Sequence, residues 1–279
     1  MSTRQVRQLV NAMEITEGAG VTVYRSIGTP ALRNLDPFLM LDHFSSTDPD
    51  DYIAGFPDHP HRGFVTLTYM IDGHMLHQDS MGNKGDLLSG GAQWMKAASG
   101  VIHSEMPQQT EGMMRGFQLW INLPASEKMT KPVYQEFPPT AIPVVDQPGG
   151  HVKILCGRYK EQRGPINDPV TDVHYFHVTL AADQQFEFLL PESYQTFVNV
   201  FEGELHILDT RLPVHSFAVL DKGDELKVTA GSHGAQFIFV AGLPIGEPIE
   251  QYGPFVMNTR DEIHQAMQDY RDGRLVEVD

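Results

Sequence analysis

Gly63-Phe64-Val65-Thr66-Leu67-Thr68-Tyr69-Met70-Ile71, closed by Asp72-Gly73, decides how the rest of this chain folds. β-Branched and aromatic residues fill the run, which suits a pleated, half-buried surface, and Asp-Gly tolerates the positive φ angles of a hairpin turn. Asn83-Lys84-Gly85-Asp86 reads as a second turn and Ala98-Ser99-Gly100 as a third. No apolar period of 3.6 runs between them. Turns spaced about 8–14 residues apart predict an all-β sandwich or barrel.

Two short pairs flank this meander: His59-Pro60-His61 and His103-Ser104-Glu105. Residues two apart on a strand point to the same face. If the two strands lie side by side, three imidazole nitrogens and one carboxylate oxygen converge. That donor set suits a divalent transition metal such as iron and leaves positions open on an octahedral ion. The chain has 13 histidines, so one His-x-His could be two packed or surface rings. A second same-face pair, directly after a glycine-marked turn, favours the metal reading.

Three stretches carry a family likeness: Gly55-Phe56-Pro57-Asp58-His59-Pro60-His61-Arg62-Gly63-Phe64, then Gln93-Trp94-Met95, then Gly100-Val101-Ile102-His103-Ser104-Glu105-Met106-Pro107. Together they closely resemble the pirin family of the cupin superfamily. The segments from Leu35 to Asp42, Gly116 to Pro124 and Tyr252 to Thr259 are similar to pirins as well. The resemblance implies a bicupin, two tandem jelly-roll-like β-sandwich domains with one metal, usually iron, in the N-terminal one. It implies His59, His61, His103 and Glu105 as the ligands, and iron(II) ahead of manganese, nickel, cobalt, copper or zinc. Many cupins carry a glutamate three or four positions after the second histidine. Here Phe64 and Val65 stand there, which leaves the carboxylate to Glu105. Ser104 replaces an alanine common in pirins, on the face away from the ligands.

Several bacterial pirins are similar to quercetin 2,3-dioxygenase. The resemblance therefore implies O2-dependent ring opening of a flavonol-like substrate, with Glu105 as a ligand that can also act as base for the substrate hydroxyl. Pirins also resemble non-enzymatic, iron-dependent redox sensors that bind a regulatory protein partner, and a metal-stabilised bicupin without turnover is a third reading. All three keep the same ligands. A dioxygenase needs in addition a cleft of about 300 Å³ beside the metal.

Composition sets the outer bounds. The chain has 279 residues, enough for two cores, with 41% hydrophobic and 20% charged residues. No apolar run is long enough for a membrane span, and Met1-Ser2-Thr3-Arg4-Gln5-Val6-Arg7 lacks a secretory h-region. The single cysteine, Cys156, reads as a buried strand residue in a reducing compartment, so a cytoplasmic location is expected. A net charge of −16 without a basic cluster argues against direct nucleic-acid binding.

Residues 124–150, with Pro124, Pro132, Pro138, Pro139, Pro143 and Pro148, read as a linker. The expected domains are 1–135, carrying the metal, and 143–279, a metal-free cupin with a helical tail. A weak internal repeat supports the second: the positions answering to the four ligands are Leu189, Pro191, Gly234 and Gln236. His74 and His77 flank a hairpin turn and are expected to be solvated. His174 and His177 face opposite sides of a strand, and His43 reads as packing. Arg62 reads as an electrostatic group near the metal or as a surface ion pair. Thr259-Arg260-Asp261-Glu262 is a capping box that opens a helix with an Ile263/Met267/Tyr270 stripe, stopped by Gly273 and docked on a sandwich face.

Overall fold

A computed structural model describes residues 2–276. Strands dominate, and the chain divides into two compact units. One comprises residues 13–28, 38–140 and 245–279; the other comprises 1–12, 29–37 and 141–244. Both termini therefore cross the linear division at 135 and 143. Strand Val6–Asn11 pairs with Ser216–Leu220, whereas the C-terminal tail joins the unit that holds the histidine pairs.

That unit is a two-sheet sandwich. Its larger sheet has seven antiparallel strands in the order Val133–Phe137, Ala92–Lys96, Phe64–Asp72, Met114–Asn122, Phe38–Ser46, Val21–Ile27 and Met13–Glu17. The smaller has four: Phe56–His61, Val101–Pro107, His74–Asp79 and Lys84–Leu88. The predicted strand after Gly63 is central in the large sheet and buried along most of its length. Asp72-Gly73 is not a hairpin turn, however. It is a corner, with Gly73 at φ 113°, that carries the chain from one sheet to the other. The second turn lies earlier than expected, at Ser80–Asn83, because Lys84–Leu88 pairs as a strand with His74–Gln78. The turn at Ala98-Ser99 stands as read, with Ala98 at φ 43°.

Residues 124–150 are more than a linker. Val133–Phe137 pairs with Ala92–Lys96, and Val144–Gln147 pairs with Gly150–Lys153, so the stretch supplies an edge strand to each unit. Proline on either side of Val133–Phe137 is compatible with an edge, where unpaired backbone groups face outward.

The other unit is built on a nine-stranded sheet around Phe176, Phe186, Phe237 and Phe239. Two strands run further than the sequence pattern suggests: Gln195–Ile207 passes straight through Gly203, and Glu225–Gly242 through the expected turn at Ala230-Gly231. Gly203 and Gly234, at φ 69° and 83°, lie where the paired strands approach so closely that a Cβ on Gly203 would sit 2.1 Å from the Gly234 carbonyl oxygen. The strands bend at bulges there instead of ending. Among the described residues no helix is long and apolar enough to cross a membrane.

The capping box forms as read, with Thr259 accepting from the Glu262 N–H and Glu262 bonding back. The helix Arg260–Arg271 buries Ile263 and Ala266 against Phe255, Met257 and Leu275, with Ile102 and Met267 at the edge. Tyr270 stays 42% exposed, so the stripe ends one turn early. The tail is held by buried cations as well. Arg62, 4% exposed, donates to the Ser99 carbonyl and to Asp269 at 2.7 Å; Lys128 donates to the carbonyls of Gly63 (2.7 Å) and Val256 (3.0 Å) and to Asn122 Oδ1 (2.7 Å). Burial lowers the Lys128 ammonium to about 8, with Glu247 and Glu262 opposing.

Gly63 is the tightest point of this seam. Its φ is 90°, and a Cβ there would lie 1.9 Å from the Val256 carbonyl oxygen. Gly63→Ala is expected to destabilise the protein by about 2 kcal/mol or more, through backbone strain and displacement of the tail. Urea unfolding of the two proteins side by side checks this, and an unchanged midpoint would refute it.

Candidate metal centre

Phe56–His61 and Val101–Pro107 are neighbours in the small sheet, as the convergence of the two pairs requires. His59 lies opposite His103 and His61 opposite Val101. A register shift between His103 and Glu105 sets Glu105 opposite Phe56. The inward face therefore carries all four candidate side chains.

The three imidazoles come together. His59 Nε2 lies 3.1 Å from His61 Nε2, and one ring nitrogen from each of His59, His61 and His103 lies within 4.8 Å of the others. Ring centroids are 4.3 Å apart for His59–His103 and 4.8 Å for His61–His103. His59 Nδ1 sits 2.8 Å from the Pro57 carbonyl. A carbonyl only accepts, so Nδ1 carries the proton and Nε2 presents its lone pair inward. His103 Nε2 is buried without a hydrogen-bond partner, a costly state for a polar atom unless an ion meets it. These observations fit a metal site.

Glu105, 1% exposed, belongs to a second group: one of its oxygens and one nitrogen each from His77 and His103 lie within 4.8 Å of one another. His103 is common to both groups. Glu105 Oε1 accepts from Gln93 Nε2 and lies 3.2 Å from Thr68 Oγ1, both on the large sheet.

His77 is not solvated, contrary to expectation. It is 1% exposed, lies opposite Glu105 on the central strand His74–Asp79, and stacks on Tyr134 at 4.5 Å. The signal was in the alternation: Met75, His77 and Asp79 point inward while His74, Leu76 and Gln78 point outward. His74 is the half-exposed one, paired with Asp86 at 2.5 Å. His43 packs as read, stacked on Phe117 at 4.5 Å. Arg62 is neither a group facing the imidazoles nor a surface ion pair, but the buried clamp on the tail described above. Phe64 and Trp120, stacked at 4.2 Å, wall the His61 side, with ring centroids 5.0 and 5.1 Å from His61.

In the other unit, Leu189 is 60% exposed at the end of its strand, and Gln236 bridges His177 (2.9 Å) and Glu202. His174 packs instead among Phe176, Phe188 and Tyr194, across the strand from His177. A cavity of about 320 Å³ is lined by Leu189, Leu190, Pro191 and Asp224, none of which is a candidate ligand.

The chain has recognisable relatives among known proteins. A family model described as Pirin matches residues 20–121, and one described as Pirin C-terminal cupin domain matches residues 175–276. The chain belongs to the pirin family. A Pseudomonas aeruginosa protein, named provisionally as a quercetin 2,3-dioxygenase, is 46% identical over 280 residues, 98% of each chain. A pirin-like protein of Caulobacter vibrioides is 44% identical over 277 residues, 99% of this chain and 100% of its own. The crystal structure of a quercetin 2,3-dioxygenase from Acinetobacter baumannii superposes with a TM-score of 0.91 at 32% identity, covering 100% of both chains. Both sandwiches are thus pirin-type cupin domains.

Burial holds the His61 and His103 imidazoles well below the usual histidine range; His59 adds to this at His61 against the Pro254 carbonyl, and His61, His59 and His77 add to it at His103. In the metal-free protein these rings bind protons less readily than in the unfolded chain. Stability is therefore complete above the unfolded pKa of about 6.5 and is lost as pH falls below it, by up to about 1.4 kcal/mol per pH unit for each ring. Urea unfolding at about pH 7.5 and 5.5 is expected to show a lower midpoint in acid, with a smaller drop for His61→Asn. An equal drop in both proteins would exclude His61 as a source.

Proposed function

We propose that this pirin is a metal-dependent dioxygenase of the quercetin 2,3-dioxygenase type, acting with O2 on a flavonol-like phenol. In this reading His59, His61, His103 and Glu105 hold one divalent metal, with iron(II) the first choice and manganese, nickel, cobalt, copper or zinc compatible with the same donors. The observation that carries it is the convergence of three buried or half-buried imidazoles, one with an orphaned Nε2, beside a buried carboxylate. The likeness to proteins named as quercetin 2,3-dioxygenases supplies the substrate class. When bound, the metal supplies Lewis acidity toward a phenolic hydroxyl and a route for electrons to O2.

The chain's own residues do the rest. Neutral His61 and His103 offer lone pairs without first releasing protons, because burial already disfavours their charged forms. The Pro57 carbonyl orients His59, whose half-buried ring marks the open side of the site. Gln93 occupies Glu105 Oε1, so Oε2 is the oxygen that would help hold the metal and that could accept the proton of a substrate hydroxyl. Phe64 and Trp120 present an apolar wall that keeps water from the His61 side and suits a flat aromatic ring. The single, buried Cys156 is consistent with a cytoplasmic location.

Protein loaded anaerobically with iron(II) and then exposed to air is expected to bleach the quercetin absorption band and consume O2. His61→Ala should lose both its metal and the bleaching. Metal uptake without turnover of any flavonol, together with a partner captured only in one oxidation state, would replace this reading with the regulatory one.

A further inference from the structure

His77 and Asp79 lie on the strand beside His103, outside the proposed ligand set, and both are buried. Asp79 is saturated with donors. Its Oδ1 accepts the N–H groups of Met81 (2.9 Å) and Asn83 (3.0 Å), and its Oδ2 accepts Asn83 Nδ2 (2.9 Å) and lies 3.2 Å from His77 Nε2. Against the burial that would raise it, the contacts from His77 and Asn83 hold the Asp79 carboxyl below its ordinary range. A carboxylate can only accept, so His77 Nε2 carries a proton. The other nitrogen of the His77 ring, Nδ1, lies 3.4 Å from His103 Nδ1, within reach to accept a hydrogen bond from it.

We propose that His77 is a positioning residue: its Nδ1 accepts the Nδ1–H of His103, which fixes the His103 tautomer that leaves the Nε2 lone pair free for the ion. The chain of contacts runs from the Asp79 carboxylate through His77 and His103 to the orphaned nitrogen. Stacking on Tyr134 holds the His77 ring in plane for this contact. The same geometry argues against a second cation among His77, His103 and Glu105, since that cation would have to displace the proton from His103 Nδ1. The inference rests on His103 being a ligand.

Two measurements on the full chain test it. In metal-free protein, long-range nitrogen–proton NMR correlations should show His103 protonated at Nδ1; protonation at Nε2 would overturn the proposal whatever the variants do. In chelator competition with cobalt(II), His77→Phe keeps the stacking ring but lacks the acceptor, and is expected to weaken binding about 10- to 100-fold and shift the ligand-field bands. His77→Asn places an amide oxygen near the lost Nδ1 and should restore both, which a merely space-filling role would not. Wild-type affinity in His77→Phe, with binding abolished in His103→Ala, would refute the role of His77 alone. Undiminished binding in His103→Ala would refute the ligand assignment beneath it.

Discussion

The pairing of Phe56–His61 with Val101–Pro107 is the constraint on which the site depends. It places His59 across from His103 and buries lone pairs that water would otherwise satisfy. A protein interior tolerates such atoms only when they find a partner. Some of the imidazoles meet each other, and the neighbouring strand supplies further contacts by bringing His77 and Asp79 up to the back of His103. The large sheet contributes from above, through Gln93 and Thr68 on Glu105. The candidate donors are thus held by neighbours that lie outside the set. This is how a fold fixes donor geometry before any metal arrives.

Much of this was legible in the residue order because strands alternate. Two residues of spacing within each pair was enough to place the donors on one face, and the glycine-marked turn ahead of His103 pointed to a fresh strand. His77 escaped because nearness to Asp72-Gly73 suggested a hairpin tip. A sandwich corner has the same local sequence but sends the next strand into the core instead of into solvent. The same ambiguity hid the strands within 124–150, where prolines marked the ends of edge strands and not an absence of structure.

Long-range partnerships were the other blind spot. Nothing local to Arg62 reveals that its guanidinium reaches Asp269, 207 residues away, or that Lys128 binds the Val256 carbonyl. Such contacts come from the path of the chain through space, which residue spacing does not encode. The C-terminal helix could be read, down to its cap, yet not the unit it would join. The internal repeat, by contrast, reflected a real second cupin fold, even though two of its turns are bulges within continuous strands.

The crossing of the two chain ends has a consequence for biogenesis. Since residues 245–279 complete the histidine-bearing unit and residues 1–12 complete the other, neither unit corresponds to an uninterrupted gene fragment. On the ribosome, the loop after His61 waits for residues beyond 245 before Lys128 reaches the Val256 carbonyl and Arg62 reaches Asp269. Premature termination would therefore damage a centre encoded far upstream of the lost codons, as the separation of Arg62 from Asp269 already implies.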